Sequence, residues 1–178
     1  SFVINLVTCH SVDFYGMAAG EARIAGAFSE KPLLSADVIV KDFKFETGRM
    51  GTLYANVGYN HEEGNIEINA VAKDEDNRWT DINGYVSPKH NYIDLAIDAH
   101  RTRAEFMESF CGSFMDNVNA DINGNINVVG PLNNINLVGK AVVDGSVRLS
   151  ALNTTYWMRG DSVTFVPDEI KFKGDTLY

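Results

Sequence analysis

The chain has 178 residues, of which 45% are hydrophobic and 22% are charged, and its formal net charge is −9. The composition is ordinary for a globular protein, and the acidic balance excludes a basic surface for nucleic acid or anionic lipid headgroups. No apolar run approaches the roughly 20 residues that cross a bilayer as a helix. The first ten residues lack the basic start and small-residue cleavage site of a signal peptide. We expect one domain, residues 1–178, cut from a longer chain.

Apolar residues alternate with polar ones over most of the first hundred positions. The clearest alternating sets fall within residues 22–28, 34–40, 53–59, 66–72 and 93–99. Because successive side chains of a strand point to opposite faces, each set predicts a strand with one apolar face. Short polar turns separate the sets, a spacing typical of an antiparallel all-β protein.

One segment departs from this alternation. Thr102 and Glu105 have the spacing of a capping box, in which a hydroxyl covers an open amide at the start of a helix. Apolar side chains follow at helical spacing: Ala104, Met107, Phe110 or Cys111, and Phe114. Gly112 is a natural stop. We therefore predict a short amphipathic helix at about residues 102–112, lying across the apolar face or mouth of the sheet. It is also the one plausible seam in the domain, near residues 101–114.

The longest alternation runs from Val118 to Val128, where apolar residues and glycine alternate with Asn and Asp. It predicts a strand with one apolar face and one amide-rich face. Gly130 and Pro131 end this strand, and a turn follows. Asp144-Gly145 is a two-residue hairpin signal, because such turns need positive φ at both central residues. The segment is therefore predicted to form a β-meander.

A series of motifs follows the strand that ends LAIDAH: the predicted short helix, then INGNINVVGPLNNINLVGKAVVDGSVRL, then LNTTYWMRGDSVTFVPDEIKF. This series resembles the C-terminal region of the TamB family, the translocation and assembly module proteins of didermic bacteria, within the AsmA-like superfamily. The first half, with KDFKFETGRMGTLYANVGYN and WTDINGYVSPKHNYIDLAIDA, is similar to the preceding repeat. The asparagine-rich face would suit a Bacteroidetes-type homologue.

The resemblance implies a long curved antiparallel sheet that forms an open β-taco, or half-barrel, with an apolar interior. It implies a parent protein anchored in the inner membrane that extends through the periplasm towards the outer membrane. Such proteins carry phospholipid acyl chains between the membranes, assist outer-membrane protein assembly with a barrel partner, or both.

The residues themselves point to a groove by a separate argument. A sheet with one apolar face must bury that face against something, and a single short helix covers little of it. Either the sheet curls and fills itself with its own side chains, or it leaves a groove for hydrocarbon. The expected groove lining is Ile24, Phe28, Val38, Val40, Leu53, Val57, Ile66, Ile68, Ile93, Leu95, Ile97, Ile122, Ile126, Val128, Ile135, Leu137, Val147 and Leu149.

The sequence contains few candidates for catalytic or metal-binding side chains. Asp98 and His100 share a strand face, but no third ligand sits at familiar spacing, so a solvated polar face is the preferred interpretation. No local motif supports Ser-His-Asp or Cys-His catalysis. We therefore expect a protein that is not an enzyme, with no catalytic, cofactor-binding or metal-binding residues. Cys9 and Cys111 could form one disulfide or remain two buried thiols, and the second is favoured.

Two functions therefore remain in competition. The leading one is a periplasmic segment whose apolar groove takes phospholipid or another acyl-chain ligand. The alternative is a surface carbohydrate-binding or adhesin-like β module, in which aromatic residues such as Tyr54, Trp79 and Trp157 would stack on sugars. The alternative predicts aromatic side chains exposed on one flat face and no continuous trough.

Overall fold

The computed structural model describes residues 2–3, 14–26, 33–111, 115–167 and 169–173. Within them lie eleven strands, one α-helix and one turn of 3-10 helix. The strands are β1 (Phe2–Val3), β2 (Phe14–Ala25), β3 (Leu33–Phe45), β4 (Gly48–Asn60), β5 (Asn65–Asp74), β6 (Arg78–Ser87), β7 (Tyr92–Arg103), β8 (Met115–Pro131), β9 (Asn136–Leu149), β10 (Thr154–Val166) and β11 (Glu169–Lys173). The helix, α1, is Met107–Cys111, and the 3-10 turn is Ser150–Leu152. All eleven strands form one antiparallel sheet in chain order, open between β1 and β11. The predicted all-β fold with an open antiparallel sheet is confirmed.

The strand register defines two faces of different chemistry. Directly paired residues of neighbouring strands point to the same side of the sheet. The face that we call the inner face contains an apolar row across six strands: Val38, Ala55, Ala70, Ile82, Ile97 and Ile126. The neighbouring row belongs to the opposite, outer face and is mostly polar: Asp37, Asn56, Asn69, Asn83, Ala96 and Asn127. The alternation in the sequence thus becomes one apolar and one polar side of a single sheet.

The sheet curls so that its inner face closes on itself at one end. Two strands separate β4 from β7 in the sheet, yet β4 and β7 contact each other. The turn after β3 reaches the segment after β7, where the Thr47 hydroxyl donates to the Glu105 carbonyl oxygen at 3.3 Å. The rings of Phe45 and Phe106 lie 5.5 Å apart and belong to the same buried cluster as Met50. We call this end of the sheet the α1 end.

The helix is shorter than the predicted residues 102–112. Thr102 still belongs to β7, and its hydroxyl oxygen lies 2.6 Å from that of Thr80 in the interior. Pairing with β8 keeps the chain extended through Arg103. α1 therefore begins only at Met107. The predicted capping box was wrong because sheet pairing, which the local spacing does not reveal, holds Thr102 in a strand.

Glu105, the other residue of the predicted capping box, makes a tertiary contact. The Glu105 carboxylate accepts a hydrogen bond from the backbone N–H of Arg49 at 3.4 Å. As predicted, the helical segment lies against the apolar face, since Met107 is buried in the same cluster as Phe45. Gly112, the predicted stop, lies outside the described residues. In the described ranges, no helix is long and apolar enough to span a membrane.

The hairpin predicted at Asp144 and Gly145 was also wrong. β9 runs unbroken through both residues, which pair with β8 on one side and β10 on the other. A Cβ atom at Gly145, where φ is +144°, would lie 2.3 Å from the carbonyl oxygen of Asn119. The glycine therefore permits the close approach of β8, and the chain reverses later, at residues 150–153.

A cluster of charged side chains joins three strands near the α1 end. The carboxylate of Asp74 on β5 is 5% exposed and accepts a hydrogen bond from Arg103 Nε on β7 at 3.1 Å. Its other oxygen lies 3.0 Å from the guanidinium of Arg49 on β4. Burial acts to raise the pKa of Asp74, but the Glu75 backbone N–H and the two guanidinium groups outweigh it. They hold the pKa below its ordinary value of 3.8.

Replacement of Gly145 should destabilise the sheet. Gly145→Ala places a Cβ against the β8 backbone, and we expect the free energy of unfolding to fall by about 1–3 kcal/mol. Gly58→Ala is the matched control, because the nearest atom to its Cβ would be 3.9 Å away, and we expect a change within about 0.5 kcal/mol. Urea unfolding measures both. Equal effects of the two changes would contradict the strand assignment.

Replacement of Asp74 should have a pH-dependent effect. Asp74→Asn removes the charge that two arginines share, and we expect a loss of about 1–3 kcal/mol in the free energy of unfolding at neutral pH. Because the folded-state pKa is lowered, this contribution is full above the ordinary pKa of 3.8. It disappears as the pH falls through the folded-state pKa. Urea unfolding across acid pH should therefore show the wild type converging on the variant. Asp94→Asn, at a residue with no ion pair within the described residues, should show no such convergence.

Candidate functional site: the inner face of the sheet

The predicted groove lining lies on one side of the sheet. The strand residues among those described are all on the inner face: Ile24, Val38, Val40, Leu53, Val57, Ile66, Ile68, Ile93, Leu95, Ile97, Ile122, Ile126, Val128, Leu137, Val147 and Leu149. Ile135, in the turn before β9, packs against the same face. Phe28 lies outside the described residues. Cys9 does too, so its pairing with Cys111 stays untested.

The inner face along β8, which we call the sealed section, is packed by side chains of the same sheet. Ile122, Ile126 and Val128 are each at most 2% exposed. The cavity beside them holds about 20 Å³, which is room for about one water molecule. An acyl chain does not fit there. Of the two alternatives that the sequence left open, the sheet here curls and fills its interior with its own side chains, and it leaves no groove for hydrocarbon.

A turn and the chain after it help to seal this section. The turn predicted after Pro131 is confirmed, because β8 ends there and the Asn134 N–H donates to the Pro131 carbonyl at 2.8 Å. Leu132 and Ile135 pack onto the small cluster that contains Val128. The amide-rich chain between β8 and β9 thus returns apolar side chains to the inner face.

The section from β2 to β4 remains open at the end opposite α1. Two in-register rows meet there, and we call them the open strip: Ala22, Ile24, Leu34, Ala36, Val57 and Tyr59. Ile24 is 62% exposed and Leu34 37% exposed, and the β4 members are half-buried. Leu34 and Tyr59 were missing from the predicted lining, although each belongs to the same alternating set as a predicted residue. Among the described residues of the predicted lining, Ile24 is the most exposed.

The outer face carries a shallow concavity of about 640 Å³. Tyr54, Asn56 and Asn69 contribute to its lining, and Asn56 Nδ2 donates to Asp37 Oδ1 at 2.8 Å. Tyr54 is 45% exposed. Exposed aromatic and amide side chains therefore share this face, as the alternative function requires. The open strip lies on the opposite side of the same strands.

Truncation of an isoleucine to alanine should lower the free energy of unfolding in the sealed section and leave it nearly unchanged in the open strip. Ile126→Ala creates a cavity in a packed interior, and we expect a loss of about 2–5 kcal/mol in the free energy of unfolding. Ile24→Ala removes the same atoms from an exposed position and should cost within about 0.5 kcal/mol. Urea unfolding compares them directly. A small effect at Ile126 would show that the inner face is not packed there.

Comparisons with protein-family models, with curated proteins and with solved structures found no match for this chain. The assignment of a candidate site therefore depends on the geometry of the sheet, whose apolar face is buried along β8 and exposed at Ile24 and Leu34.

Proposed function

We propose that this chain is a non-enzymatic segment of a TamB-like protein and that its open strip binds acyl chains. The observation that carries the proposal is the exposure of Ile24 and Leu34 on the apolar face of an open sheet. Each large aliphatic side chain left exposed forgoes about 1.5–3 kcal/mol of burial, and a bound acyl chain would supply part of it.

The binding mode is hydrocarbon against aliphatic side chains. From Ala18 to Ile24, the inner face of β2 extends about 20 Å at the usual rise of a strand. Each methylene group that an acyl chain buries there contributes about 0.8 kcal/mol without any polar contact. Such a surface distinguishes ligands by the length of their apolar part and little by their headgroup.

The proposal restricts the ligand to one part of the predicted groove. The interior beside Ile126 has space for about one water molecule, so the ligand would lie along β2 to β4. The remaining apolar residues act as the core that supports this strip. In the setting that the family resemblance implies, the segment works in the periplasm, in a parent protein anchored in the inner membrane. An outer-membrane barrel protein of the assembly machinery would be its partner.

A charge on the open strip should abolish acyl-chain binding. We expect native mass spectrometry of the wild type with phosphatidylethanolamine to show bound lipid, and Leu34→Glu to lose it. Ile39→Glu is the matched control, because Ile39 is on the same strand, is 43% exposed and faces the outer side. Affinity should rise by up to about fourfold for each methylene added to the acyl chain.

Two results would contradict this proposal. One is the absence of lipid on the wild type under conditions in which it remains folded. The other is an equal loss of lipid in Leu34→Glu and Ile39→Glu, which would place the binding elsewhere or make it unspecific.

The second candidate function is carbohydrate binding by the outer face. It is favoured by the concavity beside Tyr54, whose volume lies in the range of small-ligand sites. Its amide and carboxylate side chains suit hydroxyl groups, and the Tyr54 ring could stack on a sugar. A glycan array separates the two functions: glycan binding that is lost in Tyr54→Ala and kept in Leu34→Glu would support this candidate.

A further inference from the structure

Three side chains that can bind metals converge on the outer face of β6 and β7. Asp81 and Asp98 are directly opposite each other in the strand register. His100 follows Asp98 on the same face, with its Nε2 atom 3.3 Å from Asp98 Oδ2. One ligand atom from each of the three residues lies within 4.8 Å of the other two. The sequence offered only the pair on β7, and the hairpin brings Asp81 to it.

Within the described residues, no Lys or Arg side chain forms an ion pair with either carboxylate. Like charges directly opposite each other destabilise a sheet. Across the sheet, the next residue beyond Asp81 is Val71 and the next beyond Asp98 is Asn125. The ammonium group of Lys73, on the neighbouring strand, lies over the Tyr54 ring at 5.9 Å.

The imidazole is held in a defined orientation. The Trp79 ring stacks on His100 with a centroid distance of 4.4 Å and an interplanar angle of 23°. In the stacked ring, Nε2 lies 3.3 Å from Asp98 Oδ2. A ligand that neighbouring side chains orient in advance loses less freedom when an ion binds.

We propose that Asp81, Asp98 and His100 form a binding site for a divalent transition-metal ion of the zinc type. One imidazole nitrogen with two carboxylate oxygens is a donor set that suits zinc, and a water molecule would complete four ligands. Calcium and magnesium prefer oxygen ligands alone. The ion's two positive charges would cancel the two carboxylates. Tetrahedral ligand atoms at zinc distances are about 3.4 Å apart, a spacing that Asp98 and His100 already have, and the Asp81 ligand atom lies within 4.8 Å of both.

The test is zinc binding by isothermal titration calorimetry to the whole chain after chelator treatment. We expect one zinc ion per chain, with affinity at least tenfold weaker in Asp81→Asn and in His100→Gln. Asp94→Asn is the matched control: Asp94 is an outer-face aspartate of β7, paired with Tyr85 and remote from the cluster. It should bind zinc like the wild type.

A second measurement uses the wild type alone, so that it tests the proposal even if the variants fail to fold. Side-chain ¹⁵N NMR of the wild type should show a zinc-dependent shift of the His100 Nε2 resonance. The proposal is overturned if zinc leaves this resonance unchanged. It is equally overturned if folded Asp81→Asn and His100→Gln bind zinc as tightly as the wild type, since the ion would then occupy other ligands.

Discussion

The need to cover one apolar face governs this protein. In-register pairing places the aliphatic side chains of successive strands on the inner face. Exposure of that face to water costs free energy in proportion to the exposed apolar area. No second sheet is available in the described part of the chain, since all the strands there belong to one sheet. The sheet therefore covers itself. It curls until β4 contacts β7, and Phe45 and Phe106 close the α1 end.

The curl does not cover the whole inner face. At the α1 end and along β8, apolar side chains pack into one buried cluster, and the cavity beside Ile126 holds about 20 Å³. Along β2 to β4 at the other end, Ile24 and Leu34 face solvent. A stable core and an unoccupied apolar strip thus come from the same sheet. The proposed acyl-chain site depends on this division, because the packed core leaves Ile24 and Leu34 uncovered.

The outer face follows a different physical rule. Its amides and carboxylates stay hydrated, so packing places few limits on which residues occur there. The carboxylates of the outer face nevertheless differ in whether a basic side chain lies beside them. Asp121 is shared by Arg78 and Arg101, whereas Asp81 and Asp98 face each other with no Lys or Arg partner in the described residues. Among the described residues, a facing carboxylate pair with an imidazole beside it distinguishes this position from the other charged positions of the sheet.

The sequence by itself determined the strands and the chemistry of their two faces. Alternation has a period of two residues, so a few neighbouring residues suffice to read it. Even so, Thr102 and Gly145 were misassigned, because local spacing does not show how far a partner strand extends. Only the tertiary structure decided which apolar residues are sealed, such as Ile126, and which are open, such as Ile24. Only it brought Asp81 to His100. Both outcomes depend on register and curl, which are set by contacts between residues far apart in the chain.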